Sequence, residues 1–530
     1  MKRFKSFFIF FAAMLFFILG AGFVPAASAD SKDTITVVMH APLKVLDPHN
    51  NTALTAGINA FLIYDSLFSR DANLQIRPQM VDKWQVSADN LTYTFTLRKG
   101  LRFHDGKAVT SDDVVASLKR YAQGHPVGKM LADRTREYKK INDKTFQLVL
   151  KEPFGLVLYA LGGTRAWIMP ERIAGKVPIS DQITDYTGSG PFVFVQDEFK
   201  PGDQAVFVKN ETYVPRNEPP NGEAGGKIPY LKKIVWKNIP DRLTAINALN
   251  AGEIDYIESV SHDLISMVKG KKGLVVEALN PFGRQGILRM NWLHAPFDNP
   301  KIRRAVGYAI NQIDFLQATY GDPEYYRVCK TIYSCKSPFA TDEGTEGILE
   351  GNSEKARQLL KEAGYDGTPV ALMNPTDVNF LTPYGLVAAQ ALRKAGFTVN
   401  ILSMDWGTLA NRRANPEPVK DGGWNIFHTS WPTDITNTPA TNIPLASGGK
   451  DGGAWFGWPK DSQIQQWINQ FPTITDSDEQ KKLAGKIQKR AYELGVYFPV
   501  GEFLTPSAYS SRIKGALKTS TPVFWNMRKE

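Results

Sequence analysis

The sequence has 530 residues and a formal net charge of +10. A chain of this length suggests about three domains, at roughly 150 residues each. Its charged residues are interspersed, as residues 336–358 show, and no basic block is present, which argues against a nucleic-acid-binding protein. We therefore interpret the positive charge as ordinary surface solvation.

The first 29 residues have the order of a secretory signal peptide. Lys2, Arg3 and Lys5 precede an apolar run over residues 7–24, and residues 27–29 form an Ala-Ser-Ala cleavage tripeptide. A retained membrane anchor is the alternative, because about 18 apolar residues approach the length of a spanning helix. We predict cleavage after the last residue of the tripeptide, Ala29, and export to the periplasm. No second apolar run of comparable length follows, so the mature chain is expected to be soluble, with a formal charge of +7.

The first part of the mature chain mixes strands and a helix. Residues 34–40 form a β-branched run typical of a buried strand, and residues 58–68 have helical spacing. Tyr93, Phe95 and Leu97 then alternate with polar residues, which predicts a half-buried strand.

His104 stands beside Asp105 in the stretch LRFHDGKAVTSDD and raises the question of a catalytic site. Asp105-Gly106 is a tight-turn dipeptide. Thr110 or Ser111 can then cap a helix whose first turn contains Asp112 and Asp113. A catalytic pair would also need a nucleophile or water site and an orienting partner. Strand, turn and cap explain every local residue, so the sequence favours a structural role for His104.

Further strands and one strand-helix-strand unit follow. Residues 144–154, 188–199 and 204–214 each have the pattern of a strand, and Gly188 and Gly190 predict a turn before the second. Residues 231–260 read as strand, helix and strand, with Asp241 as the helix cap and Gly252 as its stop, which indicates an α/β sheet.

The second half of the chain repeats helix-to-strand units. Asn299 caps a helix with Pro300 in its first turn, and Ser353 is the predicted cap of the next, which ends near Gly364 before a strand. Residues 381–406 repeat the unit, and residues 479–503 add a helix and an apolar β-rich segment. These patterns predict two α/β lobes with a strand-rich insertion between residues 66 and 211.

The two cysteines, Cys329 and Cys335, are close in sequence. In an exported protein this spacing is compatible with a disulfide that closes a short loop. A metal site is the alternative, but the seven histidines are scattered and form no ligand cluster with the cysteines. We favour the disulfide and predict no metal and no cofactor.

Five separated stretches resemble one protein family. Residues 63–120, 188–192, 247–256, 291–311 and 353–367 match, in type and order, the family 5 extracytoplasmic solute-binding proteins. These are the dipeptide and oligopeptide receptors of ABC importers. The His-Asp-Gly turn lies inside the first stretch, which agrees with a structural role for it.

The resemblance implies an α/β class II periplasmic-binding-protein fold with a hinge and an extra strand-rich domain. Domain I would contain residues 30–65, 212–280 and 501–530, domain II residues 66–211 and domain III residues 281–500. Such a protein binds its ligand between lobes, without catalytic residues, and passes it to a membrane permease with ATPase subunits. A monomer is expected.

A Trp-x-x-Asp element in domain III supplies the ammonium-binding carboxylate in the peptide receptors of this family. Here Trp431 and Asp434 have that spacing. The resemblance therefore implies that Asp434 binds the ligand ammonium and Trp431 forms a pocket wall. The alternative is that Asp434 caps a turn and Trp431 belongs to the core.

Four further residues are weaker candidates for ligand binding. Arg284 lies at the predicted hinge, where it would either hold a ligand carboxylate or form an interdomain salt bridge. Gly188 and Gly190 would either let the backbone approach a ligand or form a turn. Trp406 would either stack on the ligand or fill the core, and the same two possibilities apply to Trp424.

One segment departs from the dipeptide-binding relatives. They place a basic residue before a Pro-Tyr helix to bind the ligand carboxylate, and residues 374–385 contain none. Longer peptides, opines, oligosaccharides and metal chelates therefore stay open as ligands. A secreted hydrolase and a chaperone-like binder are the competing functions, but no G-x-S-x-G elbow or metal-ligand motif supports the hydrolase.

Overall fold

The computed structural model describes residues 32–50, 53–162 and 165–530. The predicted signal peptide and its cleavage site lie outside these residues. Within them, no helix combines the length and apolarity that crossing a membrane requires.

The larger of two main sheets has seven strands and contains the first strand of the described chain. That strand, Thr34–Val38, lies between two parallel neighbours. In spatial order the sheet consists of Phe192–Phe194, Gln204–Lys209, Lys233–Lys237, Thr34–Val38, Tyr256–Ile257, Ser507–Ser510 and Leu274–Glu277. Parallel strands joined by a helix are the α/β unit predicted for residues 231–260.

The second main sheet has six strands from the second half of the chain. Its spatial order is Tyr326–Arg327, Phe498–Phe503, Arg284–Met290, Ile426–Pro432, Val370–Pro375 and Val399–Met404. The strand Arg284–Met290 is central and antiparallel to both neighbours, so Arg284 faces Pro432 on one side and Phe503 on the other.

A four-stranded antiparallel sheet and three strand pairs complete the β structure. The sheet consists of Val81–Val86, Thr92–Leu97, Thr145–Leu150 and Thr135–Asn142. The pairs are Asp65–Ser66 with Trp167–Ile168, Phe68–Arg70 with Ile76–Pro78, and Ile513–Lys514 with Arg528–Lys529. Tyr93, Phe95 and Leu97 are all buried, which confirms their predicted alternation.

The α-helices of the described residues pack against these sheets. In chain order they are Leu54–Ile63, Ser111–Gly124, Pro126–Arg134, Val157–Gly162, Glu171–Ala174, Arg242–Ala251, Pro300–Ala309, Gln312–Tyr320, Ser353–Glu362, Thr382–Lys394, Trp406–Arg412, Ser462–Gln470 and Ser477–Leu494. Short 3-10 turns occupy Gln196–Glu198, His262–Met267, Pro323–Tyr325, Val419–Asp421, Ile443–Leu445 and Phe471–Thr473.

Most predicted helix ends are confirmed. Thr110 forms a capping box with Asp113, Asp241 and Asn299 cap their helices, and Gly252 ends its helix in the left-handed conformation. The predicted cap Ser353 is wrong by one residue. The side chain of Asn352 accepts the hydrogen bond from the backbone N–H of Lys355 instead.

The strands of residues 192–209 lie in a different sheet from the one expected. They extend the seven-stranded sheet by pairing, one after the other, outward from Lys233–Lys237, although the sequence assigned them to the strand-rich insertion of residues 66–211. Each individual strand was predicted, but its partner was not. Strand partners depend on contacts distant in sequence, which local patterns do not encode.

His104 has the structural role that the sequence favours. Its Nδ1 accepts a hydrogen bond from the N–H of Gly188 at 3.2 Å, so its Nε2 carries the proton and donates to the carbonyl of Gly190 at 3.2 Å. Burial lowers the pKa of His104 to about 4, which keeps the ring neutral. The ring thus fastens the Gly-Ser-Gly segment to the turn at Asp105.

The two cysteines form a disulfide, with Cα atoms 5.8 Å apart. Gln312 holds this loop at its start. The side chain of Gln312 accepts a hydrogen bond from the backbone N–H of Cys329 and donates one to the backbone carbonyl of Cys329. At the other end, the carboxylate of Glu502 accepts from the N–H of Cys335. The loop is therefore fixed to the edge of the six-stranded sheet.

Candidate functional site

A cavity of about 1530 Å³ lies between the two main sheets. Tyr256 and Ser507 line it from the seven-stranded sheet, and Arg284 and Phe503 line it from the six-stranded sheet. Pockets for small molecules usually measure about 300–1,000 Å³. This cavity therefore has room for a ligand larger than a typical cofactor or drug.

A buried arginine organises one wall of the cavity. The Nε and Nη2 of Arg70 donate to the two carboxylate oxygens of Glu223, each at 3.0 Å, and its Nη1 donates to Oδ2 of Asp434 at 3.0 Å. Ser520 bonds to both Arg70 and Glu223. We call Arg70, Glu223 and Asp434 the carboxylate cluster.

The charges of the carboxylate cluster also act on a second arginine: Arg165 lines the same cavity, and Asp434 and Arg70 both influence its guanidinium. Burial alone would lower the pKa of Arg70, but Glu223 and Asp434 raise it above its ordinary value, so the guanidinium stays charged. The side chain of Asp434 is 16% exposed and that of Glu223 only 3%. Asp434 is therefore the more accessible of the two carboxylates, and it lines the cavity.

Asp434 is positioned by the strand that precedes it. It lies two residues beyond the end of Ile426–Pro432, and Thr433 binds this turn to Gly283 through its N–H and its hydroxyl. Among the described residues, Oδ1 of Asp434 accepts no hydrogen bond, whereas Oδ2 accepts from Arg70. One carboxylate oxygen thus remains available to a donor from a ligand.

Trp431 lies in the same wall. It lines the cavity and packs edge-on against Trp455, with ring centroids 5.5 Å apart at 76°. The structure thus brings both residues of the Trp-x-x-Asp element to one cavity wall, and among the described residues no backbone N–H of the local turn donates to the carboxylate of Asp434.

Arg284 also lines the cavity, close to Asp434 in the sheet. Its Nε donates to the hydroxyl of Ser430 at 2.9 Å and its Nη2 to the carbonyl of Ser430 at 3.0 Å. In the part of the chain that the structure describes, Arg284 forms no ion pair with a carboxylate. Burial lowers the pKa of Arg284, and the negative charge of Asp434 opposes that effect.

The opposite wall contains a histidine paired with a carboxylate. Nδ1 of His40 lies 2.8 Å from Oε2 of Glu258, and the backbone N–H of His40 donates to the same oxygen. Burial acts to lower the pKa of His40, but the hydrogen bond and the charge of Glu258 outweigh it, and the pKa is raised.

Three predicted site residues do not line the cavity. Gly188 and Gly190 pack against the end of the helix Leu54–Ile63, and a Cβ on Gly188 would lie 1.6 Å from the carbonyl oxygen of Ile63. Their lack of a side chain is needed for packing, so the structure supports the turn interpretation and not ligand contact. Trp406 begins a helix, and the guanidinium carbon of Arg413 lies 5.5 Å from the centroid of the Trp406 ring.

Comparisons with known proteins agree with this architecture. The family model for bacterial extracellular solute-binding proteins, family 5 Middle, matches residues 75–453. A probable peptide ABC transporter periplasmic-binding protein, y4tO, of Sinorhizobium fredii is 39% identical over 490 residues, covering 92% of each chain. The chain belongs to family 5 of the bacterial extracellular solute-binding proteins.

Solved structures of other proteins share the fold of this family 5 protein. The substrate-binding protein CtaP of Listeria monocytogenes has a TM-score of 0.80 at 19% identity, covering 94% of this chain and 99% of its own. DppA of Helicobacter pylori, solved with the peptide STSA, has a TM-score of 0.72 at 20% identity, covering 94% and 98%. The predicted family and fold class are confirmed.

Sequence reasoning missed two members of the carboxylate cluster in this family 5 protein. Arg70 and Glu223 are 153 residues apart, and Arg70 and Asp434 are 364 apart. Arg70 follows the buried pair Phe68 and Ser69, and a charged residue at the end of a buried strand is the one local signal that marks it. No such signal marks Glu223.

Proposed function

We propose that this family 5 protein is the periplasmic receptor of an ABC importer and binds peptides through their free ammonium group. The observation that carries the proposal is the carboxylate of Asp434 at the wall of a 1530 Å³ cavity, where Arg70 holds Oδ2 and Oδ1 accepts no hydrogen bond from the described residues. An ammonium group donates to a carboxylate in a charge-assisted hydrogen bond, which is stronger than a neutral one. The naming of the 39% identical relative as a peptide-binding protein supports the same ligand class.

Each part of the cavity has a role in this proposal. Asp434 binds the ammonium, and Arg70 holds its carboxylate in place. Trp431 forms the wall beside the first ligand residue. Three apolar side chains that line the cavity and are 42–45% exposed, Leu54, Ile435 and Ile443, contact the apolar parts of the ligand.

Transport follows from binding without chemistry. The ligand contacts both lobes only in the closed form, so its binding free energy favours closure. Residues 278–283 and 504–506, which connect the two main sheets, form the hinge between domain I and domain III. The closed receptor, a monomer, docks on the permease, and the ATPase subunits of the importer supply the energy.

Export is the remaining part of the proposal. The signal peptide of residues 1–29 directs the chain out of the cytoplasm, with cleavage after Ala29. N-terminal sequencing of the protein recovered from the periplasm tests this, with Asp30 as the expected first residue.

Native mass spectrometry tests the ligand class. The purified protein is incubated with a library of peptides of two to six residues and, separately, with the same library after N-acetylation. We expect the free-amine peptides to be retained intact and the acetylated peptides not to be retained. Equal retention of both libraries, retention of neither or hydrolysis of the peptides would each contradict the proposal.

Substitution of Asp434 tests the residue. Asp434→Asn keeps the shape of the side chain and removes its charge, so we expect the affinity for a retained free-amine peptide to fall at least about 30-fold. Asp82→Asn is the matched control, because Asp82 is exposed on the four-stranded sheet and makes the same change in net charge. Calorimetric titration of both variants, after a thermal melt to verify folding, measures the difference. Equal affinities of the two variants would remove Asp434 from the site.

A further inference from the structure

Two opposite charges, on Arg284 and Asp434, line the cavity near the same end of the six-stranded sheet. Arg284 begins one strand and lies directly opposite Pro432 of the neighbouring strand. Asp434 follows Pro432 by two residues. Paired strands are about 5 Å apart, and each further residue adds at most about 3.8 Å. The backbones that carry the two charges are therefore no more than about 13 Å apart.

The two charges are close without neutralising each other. Arg284 and Asp434 form no ion pair, yet the charge of Asp434 acts on the guanidinium of Arg284. Asp434 is held by Arg70, and Arg284 is held by Ser430, so neither side chain is free to collapse onto the other. Because both side chains are already held in place, no free energy is needed to order them when the ligand binds, which favours a selective site.

Each of the two side chains has a bonding position left for a ligand. Within the described residues, Nη1 of Arg284 donates to no group, and Oδ1 of Asp434 accepts from none. A guanidinium favours a carboxylate as its partner, and the carboxylate of Asp434 favours an ammonium. The pair is thus complementary to a ligand that presents both groups a short distance apart.

An α-amino acid head group meets this requirement. Its ammonium nitrogen and carboxylate carbon are bonded to one carbon, which places them about 2.5 Å apart. With a hydrogen bond of about 2.8 Å at each end, this group spans a gap too wide for a direct ion pair. In an ordinary α-linked peptide the first carboxyl is an amide, and Arg284 would meet only a neutral carbonyl.

The geometry points to Arg284 as a specificity-determining residue that, together with Asp434, selects ligands with a free α-amino acid head group, such as γ-glutamyl peptides. This inference rests on the proposed function and narrows its substrate class. The rest of such a ligand extends from the side-chain carboxyl into the cavity, towards Leu54, Ile435 and Ile443. An apolar second residue is therefore favoured.

Two isomeric dipeptides test the inference. γ-Glu-Leu and α-Glu-Leu have the same atoms and net charge, but only the γ isomer keeps the ammonium and a carboxylate on one carbon. We expect calorimetric titration to give at least a tenfold higher affinity for the γ isomer. Equal affinities, or a preference for the α isomer, would overturn the inference and leave the proposed function intact. Binding of neither isomer would overturn the inference as well, and the free-amine library reports separately on the proposed function.

Variants of two arginines that line the cavity test whether Arg284 causes the preference for the γ isomer. Arg284→Gln should reduce the ratio of the two affinities to about one, mainly by weakening the γ isomer, and Arg284→Lys should restore part of the ratio. Arg242→Gln is the matched control, because Arg242 lines the same cavity but lies on the helix Arg242–Ala251 and not on the six-stranded sheet. A γ preference that survives in Arg284→Gln would show that another residue reads the carboxylate.

Discussion

The turn at His104 and the turn at Asp434 each carry a titratable side chain, but they differ in what surrounds it. Both ring nitrogens of His104 bond to backbone groups of Gly188 and Gly190, and the neutral ring has no remaining capacity. Asp434 bonds to Arg70 through one oxygen and keeps the other at the cavity wall. The difference teaches that binding capacity depends on an unmatched polar atom beside open space and not on the residue type.

The largest effect should come from breaking the carboxylate cluster. Arg70→Gln removes the cation that bonds to both Glu223 and Asp434, and loss of one partner from a buried ion pair typically costs about 3–5 kcal/mol. We expect the free energy of unfolding, measured by urea denaturation, to fall by that amount.

An exposed arginine nearby provides the control for this experiment. Arg77 bonds to Asp71, but its side chain is 57% exposed, so Arg77→Gln should cost less than about 1 kcal/mol. Similar losses in the two variants would mean that the cluster contributes no more than a surface pair.

A smaller effect is expected at His104, and on stability alone. His104→Ala leaves the N–H of Gly188 without its partner, which should cost roughly 1–3 kcal/mol at pH 7.5. Peptide affinity should change less than about twofold, because His104 does not line the cavity. A large loss of peptide affinity in a folded His104→Ala protein would contradict the structural role of His104 and indicate a role in ligand binding.

The same variant has a predictable pH dependence. The pKa of His104 is about 4 in the folded protein and near 6.5 in the unfolded chain, so the unfolded chain takes up the proton first. The stabilisation by His104 is complete above pH 6.5 and is lost as the pH falls towards 4. The difference between wild type and variant in urea denaturation should therefore shrink over that window.

The smallest effect on stability is expected at His40, and its pH dependence should be opposite to that of His104. Glu258 raises the pKa of His40, so this pair stabilises the fold fully below pH 6.5, and the contribution is lost as the pH rises through the raised value. The side chain of His40 is 32% exposed, and we expect His40→Gln to cost only about 0.5 kcal/mol at pH 5.5. Urea denaturation at pH 5.5 and pH 9 would contradict this if the variant lost more stability at the higher pH.

The elements of the fold could be predicted from sequence because their signals are local. Asp241, Asn299 and Gly252 end helices through hydrogen bonds and backbone conformations that involve only a few neighbouring residues. The sheet that contains residues 192–209 could not be predicted, because strands of the same pattern pair equally well with several partners.

The residues of the candidate site also fall into two groups, those that the sequence predicts and those that it does not. The spacing of Trp431 and Asp434 marks them in the sequence through the family resemblance, and both line the cavity. Arg70 and Glu223 join them from distant segments, which no local pattern encodes. Trp406 was singled out for its residue type alone, and its ring contacts Arg413 instead of the cavity.

The short segment 504–506 has a mechanical consequence. It joins Phe498–Phe503 of the six-stranded sheet to Ser507–Ser510 of the seven-stranded sheet, and such a segment spans at most about 15 Å. If the two sheets were pulled apart, this short segment would become fully extended and would limit their separation beside it. Further separation would require the two flanking strands to slide out of their sheets against their hydrogen bonds, so the cavity should open last beside residues 504–506.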